Sequence, residues 1–310
     1  MKRIGLLFAG QGSQYPGMGQ DVYQEYDFVK EMYREASAVL GYDLAEVCFS
    51  ENENLNKTEY TQPAMTVVNC SLFEILKKEG IKPVAALGFS LGEYSALYAA
   101  GVFNFSTVIS LIKYRAYYMN LQAEKKGGAM AAIIGLPLPA VEEVCIASGT
   151  AVANYNSPIQ YVIAGEEDKV FEAMQRAQAS GARKVVRLNV SGAFHHPLMK
   201  EAAANLKPHL EKAQINQPAF PVIMNYNASP LEANKLPDWL EKQIYSPVRF
   251  EESIRLLVEK FNIDTFIEIG PGKVLTGLVK RIVPGVNLFN FEKLSDLDTI
   301  KKEALNESER

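Results

Sequence analysis

Two rhythms of apolar and polar positions run along this chain. Short unbroken apolar runs bounded by glycine, at residues 3–8 and in KPVAALGF, read as strands buried on both faces. Between and after them lie stretches with apolar residues every three or four positions. These predict helices near residues 21–40, over TQPAMTVVNCSLFEILKKEG up to Gly80, and over SLGEYSALYAAG up to Gly101. A further helix is predicted over STVISLIKYRAYYMNLQAEKKGG, with Ser106 as its N-cap and glycines past its end. Strands alternating with helices predict an α/β fold with a mostly parallel sheet.

From Gly128 the rhythm changes. AMAAIIGL reads as a strand and PAVEEVCIASG as a helix, and TAVANYNSPIQYVIAGE as two strands around an Asn-Ser-Pro turn. DKVFEAMQRAQASG reads as a helix and RKVVRLNV as a strand. That order, βαββαβ, is the ferredoxin-like arrangement. The expected organisation is a large α/β domain over residues 1–127 and 195–310, with a small subdomain inserted at 128–194. The large domain resumes with a helix from His196, a strand at PVIMN and a strand at TFIEIG. The polar stretch from Glu292 is expected to be a surface helix or tail.

Composition narrows the classes of function. With 310 residues, 48% of them hydrophobic, the chain can bury a large core. A net charge of -4 gives no overall attraction to nucleic acid. Cys48, Cys70 and Cys145 are odd in number and far apart, so neither a disulfide framework nor a zinc site is expected, and a reducing cytoplasmic location is. No segment is long and apolar enough to span a bilayer, and the run from Ile4 to Ala9 is too short for a signal-peptide core.

The chemistry centres on GFSLG. A strand entering a helix through Gly-x-Ser-x-Gly turns sharply and sets the serine hydroxyl at the helix N-terminus, where free N–H groups favour an oxyanion. Ser90 is therefore a candidate nucleophile; the alternative is an ordinary helix cap. A serine needs a base at neutral pH. The three histidines are His195, His196 and His209. His209 lies in the polar stretch KPHLEKA and is expected to be solvated. His195 and His196 lie together in NVSGAFHHPLM, and the residues alone do not separate them. Arg115 is the odd member of an apolar stripe made by Val108, Leu111, Ile112, Tyr118 and Met119. Buried there, it must meet a protein carboxylate or a ligand anion.

Taken together, GQGSQYPGMG, TQPA, GFSLGEYSAL, Arg115, NSPIQYVIAG, VSGAFHHPLM, YSPVRF and EIGPGKVLTGLVKRI resemble the bacterial malonyl-CoA:acyl-carrier-protein transacylases and the related acyltransferase domains of polyketide synthases. The resemblance runs in order from about residue 4 to residue 283. It implies an α/β-hydrolase-like large domain with a ferredoxin-like insertion. It implies Ser90 as the acyl carrier, His195 as the base, and Arg115 as the group that binds the substrate carboxylate. Gln11 and Leu91 match the residues whose main-chain N–H groups form the oxyanion hole. Gln62 and Asn156 match positions that line or support the pocket, and the Ala-Phe pair ending at Phe194 resembles the malonyl-selective form of that motif. Two positions depart from the family. Phe89 stands where histidine is common, beside the nucleophile. Arg249 replaces a frequent glutamine, whose main-chain carbonyl is expected to orient the histidine.

The resemblance implies ping-pong transfer of malonyl from malonyl-CoA, through a Ser90 ester, to the thiol of acyl carrier protein, with no metal or redox cofactor. It implies no nucleic-acid or membrane partner, and a monomer is the expectation. A basic rim is expected to meet the acidic carrier protein, with Arg183, Lys184, Arg187, Lys280 and Arg281 as candidates. The rival readings are an acyltransferase serving a polyketide synthase, an acyl-thioester hydrolase, and a silent scaffold that binds carrier protein.

Overall fold

The computed structural model describes residues 2–305. The chain opens with β1 (Ile4–Phe8), then runs through α1 (Gln20–Glu25), α2 (Asp27–Leu40), α3 (Leu44–Phe49) and the long α4 (Thr58–Lys78). β2 (Ala85–Gly88), α5 (Gly92–Ala99) and α6 (Phe105–Lys126) follow. The next stretch is β3 (Ala129–Ile134), α7 (Leu138–Ser148), β4 (Ala151–Ser157), β5 (Gln160–Gly165), α8 (Glu167–Ala179) and β6 (Lys184–Arg187). After a short 3-10 turn come α9 (Lys200–Lys212), β7 (Val222–Met224), β8 (Ser229–Pro230), α10 (Leu236–Tyr245) and α11 (Phe250–Phe261). The chain then forms β9 (Thr265–Ile269), α12 (Val274–Ile282) and β10 (Asn287–Phe291).

Two sheets result. The large one has the order β10-β9-β1-β2-β7-β8, and every pair in it is parallel except β7 with β8. Leu6 and Phe8 face one apolar layer with Leu72 and Phe73 of α4. Leu7 and Leu87 face the other, with Phe250 and Ile254 of α11 and Leu278 of α12. Burial on both faces is why these strands carry unbroken apolar runs.

The small sheet is antiparallel, with the order β4-β5-β3-β6. Its side chains alternate in direction, as the two-residue period requires. Ala131, Ile133, Tyr161 and Ile163 pack under α7 and α8. The alternate residues Met130, Ala132, Asn154, Asn156, Gln160 and Val162 line a cavity against the large sheet.

Several expectations need correction. The helix over 21–40 is two helices, because the extended Tyr26 (φ -113°, ψ 120°) interrupts it. α6 is capped by Asn104, whose side-chain oxygen accepts the Thr107 N–H at 2.8 Å, and Ser106 is already inside the helix. His209 is half-buried rather than free in solvent: its ring stacks on Tyr114 with centroids 3.5 Å apart, and it lines a surface cavity. The stretch from Glu292 forms a short helix over Leu297–Ile300, as one of the two expectations had it, but Leu297 and Ile300 are buried rather than part of a polar surface. Its end, residues 306–310, lies outside the described residues, as does Met1.

Candidate active site

The loops that follow β1, β2 and β7 emerge side by side at the carboxyl edge of the parallel sheet, where ligand sites of open α/β sheets form. They carry Gln11, Ser90 and Asn225. The turn at Ser90 works because two glycines let three backbones meet. A Cβ on Gly88 would lie 1.9 Å from the Gly92 carbonyl carbon, and one on Gly92 would lie 2.1 Å from the Phe8 carbonyl oxygen. Ser90 itself is left-handed, with φ 52°. Such backbone costs about 1–3 kcal/mol in a non-glycine residue and persists only where the surroundings fix it. Asn225 does so here. Its side-chain oxygen accepts the Ser90 N–H at 2.7 Å, and its amide donates to the Gly88 carbonyl at 2.7 Å.

His195 is the histidine beside Ser90. Its Nε2 lies 2.6 Å from Ser90 Oγ, and its Nδ1 lies 2.7 Å from the Gln243 main-chain carbonyl. The His195 N–H also donates to the Ile244 carbonyl at 3.2 Å, which holds the residue at φ 59°. Both carbonyls belong to the last turn of α10, where a helix has acceptors left over. A carbonyl only accepts, so Nδ1 carries the proton and Nε2 presents its lone pair to the serine. His196 instead caps the turn that leads into α9, through the Leu198 N–H at 3.2 Å. The carbonyl behind His195 therefore belongs to Gln243, not to Arg249 as expected. Arg249 pairs at the surface with Glu252 at 3.0 Å and does not line the cavity.

Burial and the nearby Arg115 charge push His195 down to about 4, against the pull of the Gln243 and Ser246 carbonyls. A base is active when deprotonated, above its own pKa. Acylation of Ser90, followed by rapid quench, is therefore expected to hold level from neutral pH down to about 5. It should decline only as the pH drops through about 4. A limb centred on the ordinary histidine value would mean that water reaches the imidazole.

Arg115 reaches the same point from the middle of α6 and is 1% exposed. Its Nη2 lies 3.3 Å from Ser90 Oγ and 3.2 Å from Gln243 Oε1, and its Nη1 donates to Gln62 Oε1 at 2.7 Å. The guanidinium also sits over the Tyr94 ring, 5.6 Å from its centroid. Nε has no partner among the described residues. Among the described residues, no carboxylate touches this cation. A buried guanidinium held only by neutral amides, a hydroxyl and a ring is a strong site for an anion.

The cavity around these groups measures about 230 Å³. Gln11, Gln62, Phe89, Leu91, Asn156 and Phe194 all line it, beside Ser90, Arg115 and His195. Among the described residues, the main-chain N–H groups of Gln11 and Leu91 have no hydrogen-bond partner, as an oxyanion hole requires. Asn156 Oδ1 is likewise buried without a partner. Phe89 packs edge-on against Phe250, with centroids 5.4 Å apart. Among the described residues, no cluster of His, Cys, Asp and Glu could hold a metal ion.

Three residues that sequence reasoning missed complete the arrangement: Gln243, Asn225 and Glu93. Glu93 lies in α5, fully buried, and accepts from the Asn225 N–H at 2.5 Å and from Gln243 Nε2 at 2.8 Å. The signal for Glu93 was present. GEYSALYA has no polar face, so its one charge had to be buried.

Comparison with known proteins places this geometry. Residues 6–288 match the acyl transferase domain family. The malonyl CoA-acyl carrier protein transacylase of Bacillus subtilis is 41% identical over 289 residues, covering 91% of each chain. The crystal structure of the corresponding enzyme from Streptococcus pneumoniae superposes with a TM-score of 0.92 at 39% identity, over 96% of this chain and 99% of that one. A malonyl-transacylase solved with a type II polyketide synthase acyl-carrier protein superposes with a TM-score of 0.93 at 37% identity, over 96% and 98%. A serine at a strand-to-helix turn, a neutral histidine and a buried arginine on one cavity thus occur in a chain that belongs to the malonyl-CoA:acyl-carrier-protein transacylases of the acyl transferase family.

Proposed function

We propose that the chain moves a malonyl group from malonyl-CoA to the phosphopantetheine thiol of acyl carrier protein, supplying fatty acid synthesis. One observation carries the reading: the unpaired Arg115 cation lies 3.3 Å from the nucleophilic oxygen, within reach of the far carboxylate of a malonyl ester.

Each step assigns a role to a named atom. His195 Nε2 takes the Ser90 proton as Oγ attacks the thioester carbonyl. The Gln11 and Leu91 N–H groups receive the oxyanion. Collapse breaks the C–S bond, and His195 returns the proton to the departing CoA thiolate. Arg115 holds the free carboxylate, while Gln62 and Gln243 hold Arg115. The carrier-protein thiol then gives its proton to His195 and attacks the ester; the C–O bond breaks, and Ser90 recovers the proton. This is acyl exchange between thioester and ester, chemistry that calls for no metal or redox cofactor. Phe194 and Asn156 shape the pocket wall. Phe89 sits at its mouth, where the smaller cavity meets an outer one of about 390 Å³ lined by Gly12, Ser13 and Asn189.

The same reading takes residues 128–194 as the subdomain that roofs the site, and the protein as a monomer. The three free, buried cysteines fit a reducing cytoplasm. No described helix is long and apolar enough to cross a membrane. For the carrier protein, Lys280 and Arg281 extend from α12, whose Val274 and Leu278 line the cavity. A second destination, a polyketide carrier protein, is favoured by the structural neighbour bound to one.

Intact mass tests the reading. Brief exposure to malonyl-CoA should add one malonyl group to the native chain, and holo acyl carrier protein should then remove it and gain it. Release as free malonate with an unmodified carrier protein would make the protein a hydrolase. No adduct at all would favour the silent scaffold.

A further inference from the structure

Gln243 does two things at once. Its main-chain carbonyl accepts from His195 Nδ1, and its side-chain Oε1 accepts from Arg115 Nη2. The two ends of a carboxamide have the same shape and opposite polarity. Something must therefore decide which end faces the guanidinium. With the amide reversed, an NH2 group would point at Arg115 and push the cation off its position.

Two acceptors make that decision. Gln243 Nε2 donates to the Ser90 carbonyl at 2.8 Å and to Glu93 Oε2 at 2.8 Å. The other Glu93 oxygen accepts from the Asn225 N–H, on the residue whose side chain holds Ser90. Both Glu93 oxygens are thus taken as acceptors, one by the Asn225 N–H and one by the Gln243 NH2, so the NH2 end of Gln243 has to face Glu93. We propose that Glu93 is a positioning residue for malonyl selectivity: it fixes the direction of the Gln243 amide and thereby holds the Arg115 guanidinium in register with Ser90.

The position is costly to keep charged. Burial pushes the Glu93 carboxyl up to about 8, against the pull of the Asn225 N–H, the Gln243 amide and Arg115. A well-packed apolar residue often serves a core better than a buried charge does. Glutamine at 93 keeps the shape but has a donor at one end. That donor must face either the Asn225 N–H or the Gln243 NH2, and relieving the second conflict reverses Gln243 toward Arg115.

The inference rests on the malonyl-transfer reading, and one experiment separates the two. Single-turnover acylation by malonyl-CoA and by acetyl-CoA is measured for the native chain, Glu93→Gln, Arg115→Ala and the double variant. Glu93→Gln should lower the malonyl-to-acetyl ratio by about tenfold or more, the loss of one charge-assisted contact. In the Arg115→Ala background it should not change the ratio further, because the group it positions is gone. Equal slowing with both thioesters, or the same fall in ratio without Arg115, would overturn the inference and leave Glu93 as a structural residue. Should Glu93→Gln not fold, Gln243→Met keeps the carbonyl behind His195 and removes the side-chain link. The ratio should fall there as well, and an unchanged ratio would also overturn the inference. If the native chain takes no malonyl group, the functional reading fails. If it takes malonyl and the ratio ignores Glu93, only the inference fails.

Discussion

Ser90→Ala will carry no malonyl group after exposure to malonyl-CoA, and its transfer to carrier protein will drop by on the order of 10⁶-fold, the scale seen when a serine nucleophile is removed. Ser90 supplies the one hydroxyl that lines the cavity among the described residues. Without Oγ no covalent intermediate can form. His195, the Gln11 and Leu91 N–H groups and Arg115 all remain, so residual turnover would come from these groups and from substrate binding. The substitution leaves the backbone as strained as before, since alanine is no more at ease than serine at φ 52°. It also leaves His195 Nε2 and Arg115 Nη2 each without one partner. A modest loss of thermal stability, about 1 kcal/mol, is expected beside a total loss of adduct. Intact mass reads the first effect and calorimetry the second. An adduct that survives in Ser90→Ala would place the acyl group elsewhere and undo the catalytic assignment.

Arg115→Ala should be almost as damaging, but selectively. A site built to bind a charged group rejects the analogue without it by about 10⁴-fold, because its own polar atoms go unpaired. Acetyl-CoA is that analogue. Removing the guanidinium should therefore lower malonyl acylation by about 10⁴-fold and leave acetyl acylation within about tenfold of native, so the preference vanishes. Arg115→Lys is expected to recover only part of it, since an ammonium cannot span both carboxylate oxygens in the plane of a fork. The fold will register the change too. Gln62 Oε1 and Gln243 Oε1 lose their donors in a dry interior, at about 1–3 kcal/mol each. If Arg115→Ala lowers the melting temperature yet keeps the malonyl preference, the arginine is a structural cation and the clamp is elsewhere.

What the sequence made legible follows from where the information sits. Gly88 and Gly92 are glycines because backbones collide there, so the turn at Ser90 could be read from two letters. Arg115 stood out because a charge on an apolar stripe has to be explained. The βαββαβ order came through because its strands are separated by glycine and proline turns. Gln243 did not come through, because a main-chain carbonyl leaves no mark in a side-chain alphabet. The motif that shows, YSPVRF, points six residues further on, to Arg249. β10 was missed for a related reason. NLFNF sits on the edge of the sheet, where Asn287 is exposed, Leu288 to Asn290 are half buried and only Phe291 is buried, so it lacks the unbroken apolar run of β1 and β9. Helices α10, α11 and α12 went unassigned as well, although α11 and α12 are strongly one-sided. The half-burial of His209 left no mark in KPHLEKA, because the rings beside it, Tyr114 and Tyr118, come from a different helix.

The order of the large sheet has a consequence for the growing chain. β1 leaves the ribosome before the two strands that flank it and ends up in the interior of the sheet, with β2 on one side and β9 on the other. Ile4 pairs with Thr265, so one of its edges waits for the residues from 5 to 265 to be made. At 5–20 residues per second that wait is roughly 15 to 50 s. For that time an apolar, unpaired strand edge is open to other nascent chains. The centre that handles malonyl-CoA is bound by the same timetable, since Ser90 needs His195, Asn225 and Gln243 from far downstream. A partly synthesised chain cannot load an acyl group, and a ribosome that stalls before β9 leaves behind a hazard to its neighbours and no enzyme.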